Sequence, residues 1–246
     1  MNPKVSIITV CYNSYNHITK CLESVSRQNF KDFEYIIIDG KSTDGTLEEI
    51  KKFKCVNKLI SEPDNGIYEA FNKGLKNAEG EVVGFLNSDD VFFNEDSLSL
   101  IYKSFDDETD CVFGDLIFTN SKNRLKRVWK STPFKNGLFK SGWMPAHPTF
   151  YCKKSIYEKY GYYDESYKIA GDFELMLRFL EKNKIKSKYI PKNIVNMKVG
   201  GISGGSIKAK FDILNEEFRA FEQNELSINK IFYLFHKLKK LKELRL

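Results

Sequence analysis

Short runs of apolar, β-branched residues alternate with stretches of helical periodicity along the first part of the chain. The runs are typical of strands that are buried on both faces, and each stretch between them places its apolar residues on one side of a helix. The predicted strands cover residues 4–10, 33–39, 58–61 and 82–86, and the predicted helices cover residues 16–28, 46–53 and 67–78. Because strands and helices alternate, we expect an α/β fold built on a doubly wound, mostly parallel sheet.

The pattern changes in the second half, where short strands and turns predict a smaller antiparallel part. In chain order we expect a helix over 96–105, a strand over 110–115, a hairpin of 116–119 with 125–130, helices over 154–160 and 171–182, and strands over 186–190 and 194–199. A glycine-rich segment, 200–205, precedes two predicted helices, 207–222 and 228–246. The chain therefore divides into a body, residues 1–205, and a C-terminal helical tail, residues 206–246.

Polar residues follow the fourth predicted strand without a break, in the order Asn87-Ser88-Asp89-Asp90. Ligands of open α/β sheets bind beyond the carboxyl ends of the strands. Two adjacent carboxylates there repel each other unless a cation is bound, and Mg²⁺ or Mn²⁺ completed by substrate phosphates meets that need. The same residues also suit a polar turn in which Asp90 or Asn94 caps the next helix. The motif alone favours neither interpretation.

The loop after the first strand, Cys11-Tyr12-Asn13-Ser14, contains no glycine. Dinucleotide-binding folds need a glycine-rich turn there, so the loop argues against a redox enzyme. A sugar nucleotidyltransferase is disfavoured as well, because its triphosphate needs a glycine-rich and basic loop. Asp39 ends the second strand, where an acidic side chain either reaches a ribose or caps its own loop. Taken by itself, the residue favours the loop cap.

Positive charge is concentrated at the C-terminus. The formal net charge is +6, and residues 228–246 hold six Lys or Arg and one Glu, which leaves +1 for the rest of the chain. A body with so little charge does not fit a nucleic-acid-binding protein. The tail also has an apolar stripe at helical spacing, formed by Ile231, Leu234, Phe235, Leu238 and Leu241. Such a helix indicates binding to an anionic membrane surface; the alternative is packing on the body or on a second copy of the chain through the same stripe.

The five cysteines are odd in number and form no Cys-x-x-Cys pair. This argues against a disulfide framework and a zinc site, and it favours a reducing compartment. Residues 1–10 have no signal-peptide pattern, and no apolar run approaches the length of a membrane span. We therefore expect a cytoplasmic protein that is soluble or peripheral to the membrane.

Several short motifs follow one another along the body. They are Val5-Ser6-Ile7-Ile8-Thr9-Val10-Cys11-Tyr12-Asn13, Ile38-Asp39-Gly40-Lys41-Ser42-Thr43-Asp44-Gly45-Thr46, Glu62-Pro63-Asp64-Asn65-Gly66-Ile67-Tyr68, Asn72-Lys73-Gly74, Gly80-Glu81, Phe85-Leu86-Asn87-Ser88-Asp89-Asp90, Ala146-His147-Pro148-Thr149-Phe150 and Ala170-Gly171-Asp172-Phe173-Glu174. The ordered set, over about residues 3–205, resembles family 2 inverting glycosyltransferases of the GT-A fold. The resemblance assigns about residues 1–115 to the nucleotide sugar and about 116–205 to the acceptor, and it does not cover the tail.

The resemblance implies transfer of one sugar from a nucleoside-diphosphate sugar, with a UDP-hexose favoured, to a saccharide acceptor. It makes Asp172 the general base, which would take the proton of the acceptor hydroxyl opposite the leaving group and so cause inversion. Mn²⁺ or Mg²⁺ would stabilise the departing diphosphate. The usual metal motif is Asp-any-Asp; because Asn87 occupies its first position, Asp89 is the matching ligand and Asp90 is a second candidate.

The resemblance also implies which residues surround the substrates. The expected donor-binding residues are Thr9, Tyr12, Asn13, Asp39, Asp64, Asn65, Gly66, Asn87, Ser88 and Asp89, of which Thr9, Tyr12, Asp39 and Asp64 surround the nucleobase and ribose. His147 and Ser203 are expected near the acceptor or the diphosphate, and residues 200–205 are a candidate lid over the donor.

Two features that the sequence lacks refine this hypothesis. The Gln-any-any-Arg-Trp motif and the membrane spans of processive synthases are not found, so we expect one sugar per encounter. The basic tail favours a polyprenyl-diphosphate-linked acceptor, as in bacterial surface polysaccharide or O-antigen synthesis. The alternative is that the tail forms a homodimer.

The competing functions are a sugar nucleotidyltransferase and a non-catalytic module that binds nucleotides or saccharides. The presence of both Asp89 and Asp172 argues against the non-catalytic module.

Overall fold

The computed structural model describes residues 2–120, 122–198 and 207–243. The strands are β1 (Val5–Cys11), β2 (Phe33–Asp39), β3 (Lys58–Ser61), β4 (Val82–Phe85), β5 (Val91–Phe92), β6 (Cys111–Thr119), β7 (Leu125–Trp129), β8 (Tyr151–Lys153) and β9 (Ser187–Lys198). The α-helices are α1 (Tyr15–Ser26), α2 (Thr46–Ile50), α3 (Ile67–Asn77), α4 (Ser97–Lys103), α5 (Lys154–Tyr160), α6 (Gly171–Met176), α7 (Ile207–Gln223) and α8 (Lys230–Glu243). Short 3₁₀ turns cover Leu138–Ser141 and His147–Thr149, and a π-helical turn, Leu177–Lys182, extends α6.

Within the described residues, one nine-stranded sheet runs in the order β3-β2-β1-β4-β8-β6-β9-β5, and β7 pairs with β6 outside this path. The first four strands in that order are parallel to one another. Alternate residues of β1 and β2 belong to two core layers, one shared with α1 and the other with α3. This double coverage explains the nearly continuous apolar runs, and it brings the carboxyl ends of β1, β2, β3 and β4 to one edge.

The second half of the sheet mixes strand directions. β8 pairs antiparallel with β4 and β6, and β6 forms a hairpin with β7. Two predicted strands, 186–190 and 194–199, are one strand, β9, which lies parallel to β6 rather than antiparallel. In place of the break expected between residues 190 and 194, the pairing with β6 changes register: Gly114 pairs with Ile190, but Asp115 pairs with Asn193. Pro191 falls in this irregularity, the position in a sheet where a residue without an N–H is tolerated.

Both helices predicted for the tail are present, and both contribute to the core. Ala220 and Phe221 of α7 and Tyr233 of α8 are fully buried. The proposed division at residue 205 lies outside the described residues. The alternative in which α8 packs on the body through its apolar stripe is wrong, because α8 packs through Tyr233 and the described part of the stripe faces outward. Its described members are Ile231, Leu234, Phe235 and Leu238, all exposed.

The sequence-based α/β fold, with a parallel part and a smaller part of antiparallel pairs, is confirmed. β2, β3 and α5 begin and end at the predicted residues. No helix in the described part of the chain has the length and apolar character needed to cross a bilayer.

Candidate active site

Three loops at the carboxyl edge of the parallel strands meet around Gly40. A Cβ atom on Gly40 would lie 2.8 Å from Oδ2 of Asp64 and 3.4 Å from Cδ2 of Tyr12, so a larger residue there would displace the Asp64 carboxylate. The ring of Tyr12 is 66% exposed. Tyr12 and Asp64 thus both lie close to the backbone of Gly40, and an aromatic ring beside a carboxylate suits the flat face and the edge of a nucleobase.

Asp39, in contrast, is fully buried and bound to its own surroundings. Its Oδ2 accepts hydrogen bonds from the Ser42 amide (3.0 Å) and from Oγ of Ser61 (2.7 Å), and its Oδ1 accepts one from Oγ of Ser42. These hydrogen bonds are those of a loop cap, which is the interpretation that the sequence favoured for Asp39 taken by itself. A donor contact for Asp39 stays a prediction.

Thr9 is also fully buried. Its Oγ1 donates to the carbonyl of Leu86 (2.6 Å) and lies 2.9 Å from the hydroxyl of Tyr35, so the side chain joins β1 to the end of β4. Through these bonds Thr9 fixes the start of the Asn87–Asp90 turn. A direct contact between Thr9 and the donor likewise stays a prediction.

The remaining residues of the donor set shape the loops. The amide of Asn13 donates to Oγ of Ser42 (2.8 Å), and Oδ1 of Asn13 accepts from the amide of Thr43 (2.9 Å). Oδ1 of Asp64 accepts from the amide of Gly66 (3.1 Å). Asn65 donates through its amide and its side chain to one oxygen of Glu69, both at 2.8 Å. Asn13 therefore joins the first two loops, and Asp64 and Asn65 order the start of α3.

The acidic turn after β4 holds two unsatisfied oxygens. Nδ2 of Asn87 donates to Oδ2 of Asp90 (3.1 Å), while Oδ1 of Asn87 and Oδ1 of Asp90 are buried without a hydrogen-bond partner among the described residues. Burial raises the pKa of the Asp90 carboxyl well above its ordinary value, and the neighbouring charge of Asp89 raises it further. Neither Asp90 nor Asn94 caps α4, whose N-cap residue is Asp96 and which has no side-chain cap hydrogen bond from the described part of the chain. Oδ1 of Asn94 accepts from the amide of Asp96 (3.1 Å) and from Oγ of Ser97 (3.2 Å), in the turn before the helix.

These oxygens fit a hard cation that is only partly enclosed by protein. Buried oxygens rarely go without a partner, and Mg²⁺ or Mn²⁺ binds one or two carboxylates together with substrate phosphates. No group of three His, Cys, Asp or Glu side chains suitable for a metal occurs in the described ranges. Asp89 lines a cavity of about 500 Å³ together with Lys20 and Lys198. Oγ of Ser88 lies 3.1 Å from Oγ of Ser14.

Asp172 is the second residue of α6 and faces two cavities. It lines a small one, of about 140 Å³, with Asn87 and His147, and the same three residues line an adjoining cavity of about 430 Å³. Oδ1 of Asp172 accepts from the amide of Phe173 at 2.8 Å. The fold therefore brings together an amide from the end of β4, an imidazole from a 3₁₀ turn and a carboxylate from α6, which lie far apart in the sequence.

Two side chains to which the sequence analysis gave no role hold the backbone around Asp172. The hydroxyl of Tyr68 accepts from the amide of Gly171 (2.8 Å) and donates to the carbonyl of Ile169 (2.7 Å). Glu216 of α7 accepts hydrogen bonds from three successive amides. These are the amides of Lys168 (2.9 Å), Ile169 (2.9 Å) and Ala170 (2.7 Å). Tyr68 ends the motif of residues 62–68 but was given no role there, and Glu216 belongs to no motif, so only the folded structure identifies these contacts.

His147 is in contact with Tyr163, another residue whose role the sequence did not indicate. Nε2 of His147 lies 2.9 Å from the Tyr163 hydroxyl, and the imidazole packs against the rings of Phe71 and Phe85. Burial lowers the pKa of His147, while the charge of Asp172 acts in the opposite direction. A neutral imidazole beside Asp172 leaves that carboxylate without a competing ion pair. Ser203 and the candidate lid, 200–205, lie outside the described residues.

The larger cavity has a further group of side chains that sequence reasoning missed. Arg127 and Trp129 come from β7, and Glu217 comes from α7. Residues two apart on a strand share one face, so the Arg-x-Trp spacing could have indicated a common surface once the hairpin was predicted. Glu217 had no such signal.

Comparison with known proteins supports the resemblance. The family model "Glycosyl transferase family 2" matches residues 6–170. A PGL/p-HBAD biosynthesis glycosyltransferase of Mycobacterium bovis is 27% identical over 216 residues, which are 85% of this chain and 82% of that protein.

Solved structures agree with the fold. TarS 1–349 of S. aureus in complex with UDP-GlcNAc superposes with a TM-score of 0.70 at 22% identity, over 91% of this chain and 68% of that chain. The mannosyltransferase PcManGT from Pyrobaculum calidifontis, in complex with GDP-Man and Mn²⁺, gives a TM-score of 0.69 at 16% identity, over 96% of this chain and 69% of that chain. The fold is thus the GT-A fold that the sequence predicts. Because the family model covers well over half of its residues, the chain belongs to glycosyl transferase family 2.

Proposed function

We propose that this glycosyltransferase moves one sugar from a nucleoside-diphosphate sugar, UDP-hexose in the first place, to a hydroxyl of a saccharide acceptor with inversion. The observation that carries the proposal is the shared cavity of Asp172 and Asn87, which joins a carboxylate to the end of β4, where the diphosphate would bind. Asp172 takes the proton of the attacking hydroxyl. One base acting opposite the leaving group gives inversion, and nothing in the sequence resembles the motif of processive synthases.

Asp89, Asp90 and Asn87 are the residues that would hold Mn²⁺ or Mg²⁺. The unpartnered oxygens of Asn87 and Asp90 support this assignment, and so does the Mn²⁺ complex of PcManGT. When bound, the ion stabilises the charge that develops on the departing diphosphate. The chain's own part is to keep Asp90 in place through the Asn87 amide and to present Asp89 at the rim of the turn.

The nucleotide would lie over Gly40, beside Tyr12 and Asp64. Ser88, Asn65 and Gly66 border the same edge of the sheet, and Asn13 and Asp39 keep the loops in shape. UDP is placed first because TarS is solved with UDP-GlcNAc, and GDP is the main competitor because PcManGT is solved with GDP-Man.

We further propose that the acceptor is lipid-linked and that the enzyme works on the cytoplasmic face of the cell membrane, in surface polysaccharide synthesis such as that of O-antigen. The support is α8, whose outward apolar side chains include Ile231 at 81% and Phe235 at 65% exposure. Six basic residues in 228–246 complement an anionic lipid surface, which is the one occupant proposed for this face; a second copy of the chain is the competing occupant.

Calorimetric titration of UDP, GDP and dTDP, first with Mn²⁺ and then with EDTA, tests the donor and metal assignments together. We expect one nucleotide to bind with Mn²⁺ and to lose at least tenfold in affinity with EDTA or in Asp89→Ala, which corresponds to about 1.4 kcal/mol. Asp107→Ala is the matched control, since Asp107 is an exposed aspartate outside the site. Failure of every nucleotide to bind would contradict the proposal and favour a non-catalytic module. Turnover of a nucleoside triphosphate with a sugar phosphate would instead indicate a nucleotidyltransferase.

A further inference from the structure

The cavity of about 430 Å³ beside Asp172 lies where an acceptor would have to enter, and its size is that of an ordinary ligand site. One wall is formed by Arg127 and Trp129 of β7, which point to the same side of the hairpin as Phe118 of β6. The rings of Phe118 and Trp129 are stacked, with centroids 6.5 Å apart and planes 15° from parallel. This wall combines a flat aromatic platform with a cation.

The guanidinium of Arg127 has aromatic neighbours and no anionic partner among the described residues. Its Cζ lies 5.2 Å from the centre of the Phe118 ring and 5.4 Å from that of Trp129. Every ion pair in the described part of the chain involves other basic residues. Burial lowers the pKa of Arg127, because the half-buried cation is poorly solvated. Stacking on rings recovers part of that cost, and a bound anion would recover more.

The other charges around this cavity leave Arg127 free to bind a ligand. Glu217 also lines the cavity, but it accepts hydrogen bonds from the hydroxyl of Tyr233 (2.9 Å) and from Nζ of Lys237. Its charge is therefore already compensated by α8. Asp172 is the proposed base, and His147, whose pKa is lowered by burial, brings no cation. Arg127 is thus the one Arg or Lys among the described residues that line this cavity.

We propose that this cavity is an acceptor subsite for an anionic saccharide, in which Arg127 pairs with a carboxylate or phosphate of the acceptor while Trp129 supports the face of the sugar. The inference rests on the proposed transfer to a saccharide and names the chemical class of that saccharide. Arginine presents two parallel N–H groups that match the two oxygens of either anion. A uronic acid and a phosphorylated sugar share this chemistry, and the experiment distinguishes them.

The test measures binding of three probes to the full chain in the presence of UDP and Mn²⁺: methyl β-D-glucuronide, glucose 6-phosphate and the neutral methyl β-D-glucoside. Trp129 reports binding through its fluorescence, and saturation-transfer NMR provides a second readout. We expect one anionic probe to bind at least tenfold more tightly than the glucoside, as a charge-assisted pair implies, with the preference weakened by 0.5 M NaCl. The anion that is preferred identifies the source of the charge.

Arg127→Gln should abolish this preference without changing the affinity for the glucoside. Arg124→Gln is the matched control, because it removes the same charge from an exposed position in the same hairpin. Arg127→Lys retains the charge without the paired N–H groups and should keep part of the preference, which leaves the proposal testable if Arg127→Gln folds poorly.

Equal affinity for the three probes in the unmodified protein, or no binding of any of them, would overturn the proposal. It would also be overturned if Arg127→Gln weakened UDP binding more than Arg124→Gln does, because Arg127 would then serve the donor. UDP binding distinguishes a failure of this proposal from a failure of the proposed function. If both variants bind UDP normally and Arg127→Gln alone loses the anion preference, the effect concerns the acceptor subsite. If the unmodified protein does not bind UDP, the proposed sugar transfer itself is contradicted.

Discussion

The position of Asp172 depends on tight packing of its backbone rather than on contacts of its own side chain. A Cβ atom on the preceding residue, Gly171, would lie 2.7 Å from the ring of Tyr68, so the helix can begin there only with glycine. Tyr68 and Glu216 hold the adjoining amides. The backbone that carries the carboxylate is thereby fixed at the cavity, and the one hydrogen bond of the carboxylate given by the described residues is that of Oδ1 with the Phe173 amide.

Asp172→Asn should lower the rate of sugar transfer by a factor of about 10²–10⁴, the usual contribution of a general base. The amide has nearly the same shape and still accepts from the Phe173 amide, but it cannot take a proton. The measurement is the rate of UDP release with an acceptor that the unmodified protein uses, alongside calorimetry of UDP, which should be unchanged. Asp164→Asn, in the preceding loop, is the control. Undiminished transfer by Asp172→Asn would remove the base assignment.

The sequence indicated the loops of the site more reliably than the directions of individual side chains. Thr9 and Asp39 lie at the strand ends where donor contacts were expected, yet both turn inward. Helices cover both faces of a parallel sheet, so a residue at the end of a strand is surrounded by protein whichever way its side chain points. The alternation of side chains along the strand therefore does not reveal which of them would face a ligand. Tyr68, Tyr163 and Glu216 were missed because their contacts join residues that are distant along the chain.

At the scale of elements, Glu34 of β2 joins β1 to the turn that leads into β4. Its Oε1 accepts from Oγ of Ser6 (2.6 Å) and from the amides of Glu79 (2.5 Å) and Gly80 (3.1 Å). Its Oε2 lies 3.2 Å from Nζ of Lys58. Burial raises the pKa of the Glu34 carboxyl, but these hydrogen bonds and the lysine outweigh burial and lower it below the ordinary value.

Glu34→Gln should reduce the free energy of unfolding by about 1–3 kcal/mol at pH 7, since a buried, charge-assisted network loses its charge. A lowered pKa means that this stabilisation is complete above the unfolded-state pKa of about 4.3 and is lost as the pH falls through the lower, folded-state value. The difference between the variant and the unmodified protein should therefore shrink below about pH 4. Urea unfolding at pH 7 and at acid pH measures it.

Glu81→Gln is the control for that experiment, because the pairing of Glu81 with Lys4 is 3.8 Å long and half exposed and should contribute little. A difference for Glu34→Gln that stayed constant down to the lowest pH would show that lost packing, and not the charge, causes the destabilisation.

The elements themselves were predictable where local and tertiary preferences agree. β2 follows from its run of three isoleucines and its polar end, and β3 follows from a short apolar pair, Leu59-Ile60, between polar residues. β9 was divided in two because Pro191 reads locally as a break, whereas the long pairing with β6 carries the strand across it. The parallel direction of β9 could not be predicted, because it depends on which edge of the sheet the chain returns to.

For the whole molecule, α7 links α8 to the loop that leads to Asp172. Glu217 binds Tyr233 and Lys237 of α8, and the next residue toward the N-terminus, Glu216, holds the loop that leads to Asp172. One short part of α7 therefore fixes α8 relative to the proposed base. A membrane bound by the outer face of α8 would be held at a constant orientation to the larger cavity.

The exposed face of α8 gives the last prediction. Ile231→Ser combined with Phe235→Ser should reduce binding to anionic liposomes more than tenfold, because each side chain would lose about 1.5–3 kcal/mol of apolar burial. Tyr233, which anchors the helix, is unchanged, so the fold should be retained. Leu125→Ser, at a 59% exposed position in the hairpin, is the matched control. Cosedimentation at low and high salt is the measurement, and 0.5 M NaCl should weaken binding of the unmodified protein because the lysines contribute. Unchanged cosedimentation of the double variant would contradict the membrane assignment, and a dimer that dissociates only in that variant would identify a second copy of the chain as the occupant of this face.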